Sequence, residues 1–141
     1  MSDLQRAIEI SVTAHKGQVR KDGSPYVLHP LRLMMSVNSA DEKIVAVLHD
    51  VVEDTDITMQ QLEDEGFSKQ VLAALRLVTH DDGTSYEDYI TNIKGNPIAR
   101  AVKLADLRDN TNVFEIPKLS AKDLQRLEKY HRAYKTLTEQ P

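Results

Sequence analysis

One imidazole and three carboxylates lie within six consecutive residues of this chain, in the segment His49-Asp50-Val51-Val52-Glu53-Asp54. On a helix with about 3.6 residues per turn, these polar side chains share one arc, and the apolar residues between positions 44 and 52 fill the other. Like charges three or four positions apart destabilise a helix, and no lysine or arginine between positions 44 and 59 offsets them. The pattern predicts a cation at this segment, most simply a divalent metal, with a solvated acidic face as the ordinary alternative.

The composition excludes several classes of site and partner. The 141 residues include no cysteine, which excludes disulfide bonds, zinc-thiolate sites and a cysteine nucleophile. A formal net charge of -4 without a basic stripe argues against a nucleic-acid partner. No apolar run approaches the ~18 residues of a membrane span, and no signal-peptide core follows Met1, so we expect a soluble, cytoplasmic protein without membrane contact. The length fits one domain, residues 1–141.

Apolar periodicity predicts helices along most of the chain. The expected helices cover residues 3–16, a second from about Pro30, a third from about Asp41, then 59–65, 69–79, 86–94, 97–112 and 121–138. Start signals support three of them: Thr58 with Gln61 and Ser85 with Asp88 resemble capping boxes, and Ser120 with Asp123 is a third N-terminal signal. Because no alternating strand pattern, repeat or linker competes, the fold class is predicted to be all-α, as one compact orthogonal helical bundle.

A metal at the acidic segment needs ligands from other helices, because His49 and Asp50 point about 100° apart on a helix. His29 precedes Pro30 at the start of the second helix, and Asp106 lies among apolar residues where an unpaired carboxylate would be costly. Two imidazoles and two carboxylates suit a divalent ion such as Mn²⁺ or Fe²⁺. Taken singly, such a histidine is more often a capping or core residue, and such an aspartate a surface ion-pair partner.

The order of His29, then His49-Asp50, then Asp106 resembles the H…HD…D signature of HD-domain metal-dependent phosphohydrolases. Four longer motifs, together reaching from about Ile8 to the last helix, resemble the hydrolase domain of the RelA/SpoT alarmone enzymes. These motifs are Ala14-His15-Lys16-Gly17-Gln18-Val19-Arg20-Lys21, Gly23-Ser24-Pro25-Tyr26 with His29-Pro30, His49 to Thr55, and Lys103-Leu104-Ala105-Asp106 with Asn110.

The resemblance implies an activity and a role for the acidic segment. Mn²⁺ would be held by the four ligands of the signature, His29, His49, Asp50 and Asp106. Glu53 and Asp54 match the family's ED pair, which orients or deprotonates the attacking water and protonates the leaving group. The implied reaction removes the 3′-pyrophosphate from guanosine tetra- or pentaphosphate, so the expected partner is a small-molecule nucleotide. Without the resemblance, an exposed helix end would be the ordinary explanation of Glu53 and Asp54.

The resemblance also implies substrate contacts at Arg20, Lys21, Asn110, Arg126 and Tyr130. Four of the five have an ordinary structural explanation. The first two can be solvated loop charges, Asn110 can cap its helix, and Tyr130 can be a core aromatic residue at helical spacing. Asn110 lies four residues after Asp106 and therefore faces the same side of a helix.

Two departures from the family pattern concern the substrate. Leu107-Arg108-Asp109 replaces the common basic residue, Leu, and His or Tyr, and Asp81-Asp82 stands where many members carry Lys or Arg. A phosphatase acting on another nucleotide, such as the 2′-phosphate of NADPH, is therefore the main alternative. A non-catalytic nucleotide-binding regulator is a third, against which the intact ED pair counts. The sequence makes no prediction of oligomeric state.

Overall fold

The computed structural model of the chain describes residues 3–114 and 116–139, which fold into nine helices. The helices are α1 (Leu4–Ala14), α2 (Leu28–Ser36), α3 (Ala40–Leu48), α4 (Val51–Asp54), α5 (Met59–Asp64), α6 (Lys69–Val78), α7 (Tyr86–Lys94), α8 (Pro97–Asn110) and α9 (Ala121–Thr138). These residues contain no strand, and a single isolated antiparallel bridge pairs Val19 with Pro25. The predicted all-α fold class is confirmed. None of the described helices has the length and apolarity needed to cross a membrane.

Side-chain caps fix where most of these helices begin. Thr58 forms the full capping box expected with Gln61, and the N-terminal signal at Ser120 is also a full box with Asp123. At Ser85 the hydroxyl accepts the backbone N–H of Asp88, which is half of the predicted box. Ser39 forms a further complete box at the start of α3, which the sequence analysis did not identify. Such caps each contribute about 1 kcal/mol and define the loops that position the rest of the molecule.

Helix α3 is the centre of the bundle. It packs against α1, α2, α6 and α8, and its residues 44–48 are buried on every side. An apolar helix that is buried all round acts as the internal axis of a helical domain. The residues that follow Leu48 therefore emerge from the core at a place where α2 and α8 also pass.

The prediction of one continuous helix through the acidic segment is wrong. Helix α3 ends at Leu48, α4 begins at Val51, and the two residues between them form a turn. The cause lies at His49, whose Nδ1 contacts the carbonyl oxygen of Ala46 at 2.7 Å. A side chain that takes a helix carbonyl competes with the backbone bond that would continue the helix. The break directs His49 and Asp50 to the same side of the chain, which a regular helix would not allow.

The loop from α1 to α2 contains two left-handed glycines. Gly17 has φ of 86° and Gly23 has φ of 85°, a region that side chains with a Cβ rarely adopt. Between them, the N–H of Arg20 donates to the carbonyl oxygen of Ser24 at 2.9 Å and closes a narrow turn. This turn presents Arg20 and Tyr26 toward the end of α8 and the start of α4.

Candidate active site

Three helical regions bring a group of metal-ligand side chains together in the core. One ligand atom each from His29 on α2, His49 after α3 and Asp106 on α8 lies within 4.8 Å of the others, and all three residues are buried. Asp50 joins them, because its Oδ2 is 2.9 Å from His49 Nε2 and 3.8 Å from His29 Nε2. The four residues that the sequence analysis named as ligands are therefore neighbours.

The two imidazoles are oriented so that their Nε2 atoms converge. His49 Nδ1 faces the carbonyl oxygen of Ala46 at 2.7 Å, and His29 Nδ1 faces a carboxylate oxygen of Asp109 at 2.5 Å. Neither oxygen can donate, so each Nδ1 carries the proton and a neutral ring has its lone pair on Nε2. Among the described residues, the buried Nε2 of His49 has no hydrogen-bond partner, despite its short distances to carboxylate oxygens. A lone pair facing carboxylates fits a cation between them.

Asp106 is held from several directions. Its Oδ1 lies 2.9 Å from His29 Nε2 and accepts from Asn110 Nδ2 at 3.0 Å. Its Oδ2 accepts from Lys103 Nζ at 2.9 Å. The donor set consists of two imidazoles and two carboxylates, which suits a divalent cation such as Mn²⁺ or Fe²⁺. Each of these side chains also has a second partner that fixes its orientation. The residues present thus fit the metal that the sequence implied.

The charges of this cluster depend on one another. Burial opposes protonation of His49, but Asp50 and Asp106 outweigh that effect and raise its pKa well above the usual value. Burial likewise favours the neutral form of Asp106, yet Lys103 and the two histidines hold its pKa well below the usual range. The pKa of Asp50 falls to about 2, because His49 outweighs burial. Without a metal, protons on the imidazoles therefore neutralise the carboxylates.

Glu53 and Asp54 lie on the one-turn helix α4, directly after the ligand pair. A small cavity of about 30 Å³ separates Glu53 from the cluster, and a cavity of that size holds a water molecule. Its polar lining comes from His49, Asp50, Glu53, Lys103 and Asp106. The backbone N–H of His80 donates to Glu53 Oε1 and fixes that carboxylate at the cavity wall. The arrangement places a proton acceptor beside the candidate metal.

Both carboxylates of α4 have pKa values that are raised above their ordinary values. Partial removal of water raises the pKa of Glu53, and the nearby carboxylates of Asp50 and Asp54 add to this, against the His80 N–H. Partial burial and then Asp50 raise the pKa of Asp54. A raised carboxyl pKa moves the group toward the range in which general acids and bases work best.

Comparisons with known proteins identify relatives of this chain. No protein-family model matches the chain. The chain is 31% identical over 124 residues to the guanosine-3′,5′-bis(diphosphate) 3′-pyrophosphohydrolase of Aquifex aeolicus. The aligned region covers 79% of this chain and 18% of that protein. The chain is 34% identical over 89 residues, 60% of its length, to the bifunctional (p)ppGpp synthase/hydrolase SpoT of Escherichia coli. The chain belongs to the RelA/SpoT-type HD-domain family.

A solved structure supports the same fold. It is described as a metazoan ortholog of SpoT that hydrolyzes ppGpp, and it matches 97% of this chain and 85% of that chain with a TM-score of 0.78 at 22% identity. The chain spans less than a fifth of the length of the curated relatives named above, 18% and 12%. Their names therefore describe proteins that are much longer than this RelA/SpoT-type HD domain.

The predicted substrate residues separate into two groups. Arg20 donates to Asn110 Oδ1 at 3.2 Å and to Asp109 at 3.4 Å, which links the α1–α2 loop to the metal cluster. Lys21 is exposed next to it. Arg126 instead donates to Asp123 one turn earlier on α9 at 2.6 Å, and Tyr130 packs against the core. The structure therefore brings Arg20 and Asn110 to the cluster of this RelA/SpoT-type domain. It pairs Arg126 with a residue of its own helix and packs Tyr130 against the core.

Three residues of the family motifs support the site in ways that the sequence analysis did not assign. His15, which is buried, donates from Nδ1 to Gln18 Oε1 at 2.8 Å, and Gln18 Nε2 donates to the carbonyl oxygen of Asp54 at 2.9 Å. Tyr26 donates its hydroxyl to Asp50 Oδ2. The signal was present, since all three lie in motifs that resembled the family. Their roles depend on contacts between distant segments, which the motifs alone do not describe.

The acidic pair after α6 has a local role. Asp81 accepts the N–H of Gly83 at 2.8 Å and the hydroxyl of Thr84 at 3.2 Å, so its carboxylate closes its own turn. The same loop carries the His80 N–H that holds Glu53. Asp81 therefore shapes the loop that positions a proposed catalytic carboxylate, in addition to adding charge near the site.

We expect the metal-free protein to lose stability as pH rises above about 6.5, the usual histidine pKa. The pKa values of His29 and His49 are raised in the folded state, so the folded chain binds protons more tightly than the unfolded chain. The stabilisation is complete below the unfolded pKa and is lost as pH rises through the folded pKa. Asp50 and Asp106 have lowered pKa values, so the stability that they contribute is lost only in acid, below about pH 4.

Urea unfolding with a chelator at several values between about pH 6 and 8.5 measures this slope. With Mn²⁺ the slope should become flat or reverse, because the cation replaces the protons. His131→Gln is the control for the histidine count, because this histidine is exposed on α9. The variant should show the same slope of stability against pH as the wild type. A pH-independent stability of the metal-free wild type would contradict the charge arrangement derived for the cluster.

Proposed function

We propose that this chain is a metal-dependent phosphohydrolase that removes the 3′-pyrophosphate from guanosine tetra- or pentaphosphate. The carrying observation is that Glu53 lines a water-sized cavity together with His49, Asp50 and Asp106, where the buried His29, His49 and Asp106 group their ligand atoms and Asp50 lies beside them. The name of the Aquifex relative supports the choice of reaction. The proposal includes residues 1–141 as one catalytic domain and Mn²⁺ as the metal, held by His29, His49, Asp50 and Asp106.

The roles that we propose for the metal, Glu53 and Asp54 follow from their charges. A divalent cation in the cluster would neutralise phosphate oxygens and lower the pKa of water. Glu53 accepts the proton of the attacking water, since its carboxylate faces the cavity and His80 fixes its other side. The water oxygen bonds to the phosphorus nearest the ribose, and the bond from that phosphorus to the 3′ oxygen breaks. Asp54, whose pKa is raised, supplies a proton to the departing oxygen.

Arg20 would meet the substrate at the outer edge of this site. Its guanidinium lies 5.9 Å from the centre of the Tyr26 ring, and its partners Asp109 and Asn110 lie at the end of α8. A phosphate that competes for this guanidinium would form a charge-assisted contact, worth roughly 1.5 to 3 kcal/mol. Lys21 adds a second cation on the same loop. Both are proposed to bind the phosphates. Asn110, Arg126 and Tyr130 are further proposed substrate contacts, Asn110 at the ribose.

Hydrolysis in ¹⁸O-labelled water with Mn²⁺-loaded protein tests the proposal. Guanosine 3′,5′-bis(diphosphate) should yield GDP and pyrophosphate, with the label in the pyrophosphate, because water attacks phosphorus and not the ribose carbon. NADPH, GTP and a simple phosphomonoester are tested in parallel. Release of phosphate from NADPH without cleavage of the guanosine substrate would favour the alternative nucleotide phosphatase. Tight nucleotide binding without any product would indicate the non-catalytic regulator.

A further inference from the structure

Asp109 connects the outer nitrogen of His29 to two arginines. Its Oδ2 lies 2.5 Å from His29 Nδ1. Arg32 donates from Nε to Oδ1 and from Nη2 to Oδ2, each at 2.9 Å. Arg20 Nη1 adds a contact of 3.4 Å to Oδ2. Both oxygens of this carboxylate are therefore engaged, at the edge of the imidazole opposite to the one that faces Asp106.

This geometry argues against Asp109 as a ligand in its own right. The atom of His29 that points into the cluster is Nε2, which lies 2.9 Å from Asp106 Oδ1, whereas Asp109 contacts Nδ1 on the other side of the ring. The Asp109 carboxylate already forms an ion pair with the guanidinium of Arg32. Paired in this way, the ionised carboxylate can only accept, so Nδ1 must carry the ring proton.

We propose that Asp109 is a positioning residue that fixes the ring and the tautomer of His29 for metal binding, an inference that rests on the proposed metal site. The carboxylate holds the proton on Nδ1, which leaves the lone pair on Nε2 directed at the cluster. Carboxylates that hold metal-binding histidines in this way typically change metal affinity by about 10- to 100-fold. Asp109 is one of the residues by which this chain departs from the family pattern, so the device belongs to this sequence.

A purely structural role for the same residue makes a different prediction. Asp109 could serve only as the ion-pair partner that ties α8 to Arg32 on α2. The Arg32 side chain is 49% exposed and that of Asp109 is 18% exposed, so solvent screens the arginine side of this two-bond pair and limits its contribution. In that case Arg32→Gln and Asp109→Ala would have equal effects, and neither would alter the metal site.

Titration of the metal-free full-length chain with Mn²⁺ alone distinguishes the two roles. We expect Asp109→Ala to weaken Mn²⁺ binding by about 10- to 100-fold. Asp109→Asn should weaken it less, because the amide oxygen can still accept from Nδ1. Arg32→Gln is the matched control, with a change below about fivefold. Unfolding of the metal-free variants in urea reports any general loss of stability, and Asp109→Asn, close in shape, covers the case in which Asp109→Ala does not fold.

NMR spectroscopy can observe the Nδ1 proton of His29 directly. In the Zn²⁺-loaded protein, the Nδ1 proton of His29 should be visible by NMR in the wild type and in Asp109→Asn, and lost to rapid exchange in Asp109→Ala. Equal Mn²⁺ affinity of the wild type and both Asp109 variants would overturn the positioning role alone. A wild-type chain that binds no Mn²⁺ would overturn the metal site, and with it both proposals. Equal losses of stability in Arg32→Gln and Asp109→Ala, with Mn²⁺ affinity unchanged in both, would assign Asp109 to the ion pair.

Discussion

Replacement of Glu53 by glutamine is expected to reduce turnover by about 10²- to 10⁴-fold, the usual contribution of a general base, while metal affinity stays nearly unchanged. Glutamine keeps the shape of the side chain and can still accept the His80 N–H, but it cannot take a proton from water. Glu53 borders the cavity and is not among the buried His29, His49 and Asp106 atoms that cluster. Removing its charge should therefore leave the ligands in place.

The measurement combines steady-state kinetics with Mn²⁺ titration of the same preparations. Glu63→Gln is a matched control, because Glu63 makes an exposed ion pair with Arg76 on another part of the surface. Asp54→Asn separates the two proposed roles, since loss of the acid should be smaller for a substrate with a better leaving group. Wild-type turnover in Glu53→Gln would remove this residue from the mechanism, and a large fall in its Mn²⁺ affinity would make it a ligand.

The helical fold was predictable because its signals are local. Apolar periodicity and the caps at Thr58, Ser85 and Ser120 lie within a few residues of the helix ends they define, so α5 to α9 match the predictions closely. Helix α2 begins at Leu28 and not at Pro30, which therefore occupies the third position of the first turn. A proline is tolerated there because the first N–H groups of a helix have no partner inside the helix.

The break between α3 and α4 was not predictable in the same way. It depends on a contact between the His49 ring and the carbonyl oxygen of Ala46, and hydrophobic periodicity carries no information about such a contact. The consequence for the site is large, because His49 and Asp50 now point toward one place. Periodicity marked this segment as a candidate metal site but gave the wrong backbone for it.

The partners of the site were the least predictable part. Asp109 lies 80 positions after His29, and Gln18 lies 36 positions before Asp54. Only the folded chain brings these residues together, and a single sequence contains no measure of which distant residues meet. The family resemblance supplied the four proposed ligands and the proposed ED pair, but it identified Asp109 only as a departure.

Replacement of Asp106 by alanine is expected to abolish measurable Mn²⁺ binding and to destabilise the metal-free protein by roughly 3 to 5 kcal/mol, the cost of breaking a buried ion pair. Asp106 Oδ2 accepts from Lys103 Nζ at 2.9 Å, and both side chains are largely buried. The pKa of Lys103 is strongly raised because Asp106 outweighs burial. Alanine would leave this ammonium next to the Tyr89 ring without its carboxylate.

A double variant separates the two effects of Asp106. Lys103→Met together with Asp106→Ala removes both charges, so much of the stability should return in urea unfolding, because a buried pair can often be replaced by apolar groups without loss. Mn²⁺ binding should not return, since the cluster still lacks one of its two carboxylates. The loss of Mn²⁺ affinity should exceed the 10- to 100-fold that typically follows removal of a residue that only holds a ligand in place. If the double variant regained Mn²⁺ affinity, Asp106 would serve only to neutralise Lys103. If Asp106→Ala retained wild-type stability, the buried pair would contribute nothing to the fold.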